Sequence, residues 1–158
     1  MFSRIVKTAV FSIVAPGTVG ILLPQALGGA GGSGRSLREI PGVALFALGV
    51  AVYLWCAWDF VSEGLGTPAP IDAPRVLVVQ GLYRFTRNPM YVGVLAMIFG
   101  QALAYRSKSI SIYGSGVLGA LYLFVLVYEE PTLRRLFGSE YEEYCRRVPR
   151  WLLPIRRK

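Results

Sequence analysis

Four apolar runs, roughly residues 5–24, 40–60, 89–105 and 110–129, constrain this chain more than any motif within it. At ~1.5 Å per helical residue, such runs approach or exceed the ~30 Å hydrocarbon layer of a bilayer. The expectation is a single all-α integral membrane domain over residues 1–158, with about four transmembrane helices. A cytoplasmic segment, 130–158, follows and carries a short amphipathic helix. The first run follows Arg4 and Lys7 and has the flavour of a signal peptide, but the same pattern recurs downstream, so a first membrane helix is the better reading.

Charge placement supports this. Hydrophobic residues make up 54% of the chain and charged ones only 16%, yet the net charge is +8, so the basic residues must gather between the runs. Basic loops around long uncharged stretches suit a bilayer, and they leave little surface for reading a nucleic-acid duplex. The chain has no histidine, which excludes a His-based triad, His metal site or His general base. Cys56 and Cys145 form no metal pattern and read as packing residues. Gly-rich residues 28–34 form a connector without phosphate-loop context.

With the N-terminus inside, Arg4, Lys7, Arg75, Arg84, Arg87 and the basic tail share one side, whereas the opposite loops hold only Arg35, Arg38, Arg106 and Lys108. The excess of inside charge places both termini in the cytoplasm. Tyr53, Trp55 and Trp58 suit an interfacial belt at the end of the second run. The brief link 106–109 makes the last two runs an antiparallel hairpin. Small residues recur at Gly93, Ala96, Gly100 and Ala104 in one, and at Gly116 and Ala120 in the other. Such faces allow close backbone approach, within the hairpin or between copies.

Chemistry concentrates in two places. Asn88-Pro89 reads as the cap and first residue of a helix. A helix start attracts anions and Arg87 adds a full charge beside it, although an Arg there can equally meet lipid phosphate. At the end of the fourth run, Glu129 and Glu130 repel each other and face the negative end of a helix dipole. Either Arg134 and Arg135 compensate this pair, or a bound cation does. The hairpin puts Asn88 and Glu129 at one depth, an arrangement suited to a zwitterionic ligand. In the tail, Gly138 stops one helix and Ser139 with Glu142 forms a capping box for the next. Tyr141, Tyr144, Cys145 and Val148 fall on one face of that helix, and Glu142–Arg146 and Glu143–Arg147 pair on the other. Val148-Pro149-Arg150-Trp151 and the last basic residues would rest on anionic lipid.

These pieces together resemble the integral-membrane isoprenylcysteine carboxyl methyltransferase and phospholipid N-methyltransferase group. The matching residues are Gly64-Leu65-Gly66-Thr67-Pro68, Gly81-Leu82-Tyr83-Arg84, Arg87-Asn88-Pro89-Met90-Tyr91-Val92-Gly93, Glu129-Glu130, and Phe137-Gly138 with Tyr141 through Val148-Pro149-Arg150. The resemblance implies an S-adenosylmethionine pocket at the cytoplasmic end of the last spans. Carried over, Gly64, Gly66, Tyr83, Arg87, Asn88, Tyr91, Glu129 and Glu130 become cofactor-site candidates. Glu130 and Arg135 become candidates for the transfer itself, as a proton acceptor and as an orienting cation. The better-known carboxyl methyltransferases carry His where this chain has Asn88, so an acid/base role there is lost. The implied acceptor is a lipid or lipidated carboxylate, amine or thiol arriving from the bilayer. Two alternatives share the outline: a nicotinamide-dependent reductase resembling the membrane sterol reductases, and a non-enzymatic membrane adaptor. Oligomeric state is left open.

Overall fold

A computed structural model describes residues 13–28, 39–62 and 76–151. Within them every regular element is helical: α1 (Ile13–Leu22, a wide π-type helix), α2 (Leu23–Gly28), α3 (Ile40–Ser62), α4 (Pro89–Ala104), α5 (Lys108–Phe124), α6 (Glu130–Phe137) and α7 (Ser139–Arg147). A 3₁₀ turn, Gly81–Arg84, precedes α4, and a π-type turn, Val125–Glu129, joins α5 to α6 without a break. Among the described residues, two helical stretches are long and apolar enough to cross a bilayer, Ile40–Ser62 and the continuous run Lys108–Phe137; α4 is apolar but shorter. Outward side chains such as Leu54, Trp58, Ile112 and Val127 are exposed and apolar, as lipid-facing surfaces are. Residues 5–12 of the first expected run lie outside the described residues.

Each helix boundary has a local cause. Pro89 occupies the first turn of α4, where no N–H is needed. Arg106 adopts a positive φ of 50° that ends the helix, and Ser107 accepts from the Ile110 N–H at 3.3 Å to start α5. Pro131 would clash in a regular α-helix, and the preceding turn is widened: the Glu130 N–H donates to the Val125 carbonyl, five residues back. The helix therefore runs on through the two acids, which lie mid-helix and not at the helix C-terminus expected from sequence. Gly138, at φ 52°, separates α6 from α7.

The small-residue faces are used differently from the expectation. Gly93 and Gly100 of α4 pack against Gly49 and Gly42 of α3, not against α5. A Cβ on Gly49 would lie 2.6 Å from the Gly93 carbonyl oxygen, and one on Gly100 only 2.5 Å from the Phe46 nitrogen. A Cβ on Gly116 would meet nothing within 4 Å. The hairpin contact runs instead through Gly114, whose added Cβ would stand 3.0 Å from Ile98. The reason is period: glycines seven residues apart on both α3 and α4 keep two straight backbones in contact over two turns.

The core groups Tyr53 and Cys56 of α3, Tyr83 of the turn, Met90, Val94, Met97 and Ile98 of α4, and Ile110 of α5. Tyr141, Tyr144 and Val148 close over Leu77 in a second cluster with Leu133 and Phe137 beside it. The one-face pattern of α7 is therefore realised, and Glu143 pairs with Arg147 on its other side. Ser139 makes no capping bond; Gly138 holds the cap position and its carbonyl accepts from Glu142 N–H at 3.2 Å.

Gly100→Ala should lower unfolding stability by about 1–3 kcal/mol through overpacking against α3, whereas Gly116→Ala should be neutral or raise it by up to about 1 kcal/mol. Thermal unfolding of both variants in the same detergent checks the pair.

Candidate active site

The segment leading into α4 is built by close contacts that few residue types permit. Gly81 has φ 54°, and a Cβ there would collide with the Asp59 carboxylate. The 3₁₀ turn it opens sends Tyr83 inward, with its ring edge-on to Phe60 at 5.7 Å between centroids. The Tyr83 carbonyl accepts from the Tyr144 hydroxyl at 2.7 Å. Burial pushes the Tyr144 hydroxyl up from its ordinary pKa, so it stays a neutral donor.

Beyond this turn the chain is strapped to the C-terminal tail. The Arg87 N–H donates to the Pro149 carbonyl at 2.9 Å. The Arg150 carbonyl accepts from Thr86 Oγ1 at 3.1 Å and from Asn88 Nδ2 at 2.9 Å. Thr86 Oγ1 also receives the Asn88 backbone N–H at 3.3 Å. Asn88 does stand at the N-cap, but its side chain makes no capping bond. The tail carbonyl has claimed its amide, and a neighbouring hydroxyl has taken its backbone donor.

The strap carries Arg150 to Glu130. Arg150 grips that carboxylate in a fork, Nε to Oε1 at 2.6 Å and Nη2 to Oε2 at 2.9 Å. Arg87 Nη1 reaches the same Oε1 at 3.0 Å, and Arg134 approaches Oε2 at 3.7 Å. Arg87 Nη1 also donates to Cys145 Sγ at 2.7 Å. Glu130 is only 3% exposed. The cations that answer Glu130 are therefore mainly Arg87 and Arg150. Arg134, expected from sequence, adds a longer and more exposed contact, and Arg135 forms no ion pair with it among the described residues. Arg150, read from sequence as a lipid contact, is turned inward. The hydrogen bonds that Arg150 donates to Glu130 lift it further above the ordinary guanidinium pKa, so the guanidinium stays charged.

Glu129 points elsewhere. Successive helical residues stand about 100° apart, and when Glu130 faces the arginines its neighbour is turned toward α4. There Glu129 Oε2 accepts from the Tyr91 hydroxyl at 2.8 Å. Both residues line a cavity of about 360 Å³ bounded by α1, α3, α4, α5 and the 3₁₀ turn. Tyr83, Arg87 and Asn88 line it too, and Val94, Val117, Leu121 and Phe124 supply apolar wall. The Arg87 Nε–H is buried and has no hydrogen-bond partner among the described residues. An acid, Glu129, and an arginine, Arg87, thus line one mostly apolar cavity.

Of the residues predicted from sequence, Tyr83, Arg87, Asn88, Tyr91 and Glu129 converge on this cavity. Glu130 stands behind it, gripped through Arg87, and Arg135 is exposed on α6 away from the lining. Gly64 and Gly66 lie outside the described residues. Sequence reasoning missed Thr86 and the inward role of Arg150. The only signal was that Val148-Pro149-Arg150 stands among the residues on which the family resemblance rests.

The phospholipid methyltransferase family model matches residues 37–140. A probable protein-S-isoprenylcysteine O-methyltransferase of Oryza sativa subsp. indica is 35% identical over 72 residues, covering 46% of this chain and 38% of that protein. Protein-S-isoprenylcysteine O-methyltransferase B of Arabidopsis thaliana is 33% identical over 73 residues, 46% of this chain and 37% of its own length. The Schizosaccharomyces pombe protein-S-isoprenylcysteine O-methyltransferase is 31% identical over 75 residues, 48% of this chain and 32% of its own. The chain thus matches well under half the length of these relatives. No solved structure matches it.

Glu130→Gln should lower unfolding stability by about 3 kcal/mol, since it leaves buried guanidinium groups uncompensated. Glu129→Gln, which keeps a carbonyl acceptor for the Tyr91 hydroxyl but loses the charge, should cost about 1 kcal/mol or less. Denaturation of both in detergent separates the structural acid from the cavity acid.

Proposed function

This chain belongs to the phospholipid methyltransferase family, and from that premise we propose that it transfers a methyl group from S-adenosylmethionine to a membrane-associated acceptor. The acceptor class is a lipid or lipidated carboxylate, amine or thiol, in keeping with the names of the family and its relatives. The observation that carries the proposal is the shared cavity of Arg87 and Glu129. Its volume, about 360 Å³, falls within the ~300–1,000 Å³ of small-molecule sites. The methyl donor combines a carboxylate, an ammonium and a sulfonium, and Arg87 with the Glu129 carboxylate in one lining fits that charge pattern.

S-adenosylmethionine supplies a methyl group on sulfonium, open to in-line displacement by the acceptor's oxygen, nitrogen or sulfur. The chain's own task is then positioning and the exclusion of water. Arg87 receives the donor's carboxylate. Glu129, oriented by Tyr91, faces its positive charge, and Glu129 is also the cavity group able to accept the proton that an amine acceptor loses. Asn88, held by the Arg150 carbonyl, offers the remainder of its amide. Tyr83 and Phe60 form a wall. Gly64 and Gly66 are proposed to complete the cofactor's seat. Glu130 serves by holding Arg87, and Arg135 is given no part. The apolar lining from α4 and α5 accommodates the acceptor's hydrocarbon.

The same proposal includes four spans with both termini cytoplasmic. It draws on the two long apolar helices, on the apolar character of α1 and α4, and on the basic residues flanking the cavity end of the bundle.

Saturating S-adenosylmethionine, at about a hundred times its dissociation constant, should stabilise the detergent-solubilised protein by about 2.7 kcal/mol. Glu129→Gln should weaken that binding at least about tenfold, since it removes a charge-assisted contact. Folded protein showing no thermal shift with this ligand, but a shift with NADPH, would place the chemistry with a nicotinamide cofactor instead.

A further inference from the structure

Proline 24 creates a problem that two distant side chains solve. It lacks an N–H. In an α-helical register that N–H would have served the Gly20 carbonyl, and in the π register of α1 it would have served the Val19 carbonyl. Pro24 is itself fully buried, and water does not reach a backbone sealed in an apolar setting, so freed carbonyls there need donors from elsewhere. Gln101 of α4 donates its Nε2 to the Gly20 carbonyl at 2.7 Å. Tyr113 of α5 donates its hydroxyl to the Val19 carbonyl at 2.9 Å. Gln101 Nε2 reaches the Met97 carbonyl as well, at 3.1 Å. Two acceptors on one side fix the amide orientation, because only its NH₂ end can face both. Gln101 is 5% exposed, so it is not a surface residue that happens to touch α1.

We infer that Gln101 and Tyr113 are positioning residues that dock α1 onto α4 and α5 through the carbonyls freed by Pro24, and so set one wall of the cavity. Pro16 and Val19 of α1 line that cavity opposite the α4 and α5 side chains. The docking points lie on the residue that lines it and on the next one, so a small displacement of α1 changes the room left for an acceptor. Arg87 and Glu129 sit on other elements and are untouched by it. The consequence for turnover rests on the proposed methyl transfer; the docking itself does not.

The test has two arms on the full chain in lipid nanodiscs. In the first, hydrogen–deuterium exchange is followed in Gln101→Leu with Tyr113→Phe, with and without an added Pro24→Ala. The double variant should exchange roughly tenfold faster across residues 17–27 while the core of α3 and α4 keeps its protection. Pro24→Ala, which returns one backbone donor for the two carbonyls, should reverse part of that gain. Unchanged exchange in α1, or no recovery with Pro24→Ala, would overturn the inference, whatever reaction the protein performs. In the second arm, methyl transfer from labelled S-adenosylmethionine is measured with two probes, S-farnesyl-N-acetylcysteine and dioleoylphosphatidylethanolamine vesicles. KM for the accepted probe should rise roughly tenfold, equivalent to about 1.4 kcal/mol, with kcat and S-adenosylmethionine affinity little changed. A loss confined to S-adenosylmethionine affinity would contradict the role given to the α1 wall. If the wild type methylates neither probe, the methyl-transfer proposal is what suffers, and the exchange arm still decides the docking.

Discussion

Everything near the cavity depends on one buried carboxylate. Glu130 ties together the start of α4 through Arg87, 43 residues away in sequence, and the tail through Arg150, 20 residues away. Burying an ion is unfavourable unless its hydrogen-bonding capacity is filled, and here both oxygens are engaged by guanidinium groups. The backbone strap from Thr86, Arg87 and Asn88 to Pro149 and Arg150 runs alongside and fixes the register of these partners. Arg87 spends one end of its guanidinium on Glu130, and its buried Nε–H has no hydrogen-bond partner among the described residues. The same side chain forms part of the cavity wall.

Neighbouring acids acquire opposite duties through helix geometry alone. The wide turn ahead of Pro131 keeps the helix continuous, and the angular step between successive residues turns Glu129 into the cavity and Glu130 toward the arginines. Tyr91 then holds Glu129 from α4. Opposite charges are therefore presented to the cavity from two elements without being paired to each other. An apolar remainder keeps water from screening them, which suits the proposed methyl donor with its one negative and two positive groups.

Much of this was legible in the sequence, and the gaps have physical causes. The apolar runs are long, so their helical state follows from length and polarity. A short link between two runs forces the start of one beside the end of the other. Tyr91 came only with the family resemblance, but the nearness of Asn88, with Arg87 beside it, to Glu129 was visible without coordinates. The partner of Glu130 was not: an arginine after a helix-ending Pro149 reads as a lipid contact until the strap turns it inward. Asn88 keeps the cap position without its side-chain bond, and Ser139 loses the cap position, for a related reason: a tertiary acceptor or a glycine can displace a local bond. The glycine faces of α3 and α4 share a spacing, but no local signal says which helix a small-residue face will choose. The roles of Pro24, Gln101 and Tyr113 required seeing three helices at once.

Ultraviolet crosslinking with methyl-tritiated S-adenosylmethionine, followed by peptide mapping, tests the central claim most directly. The account predicts label on peptides containing Tyr91 or Glu129, abolished by excess unlabelled S-adenosylmethionine. Label confined to α7 or to the end of the bundle near Gln25, or label that the unlabelled ligand fails to displace, would contradict it.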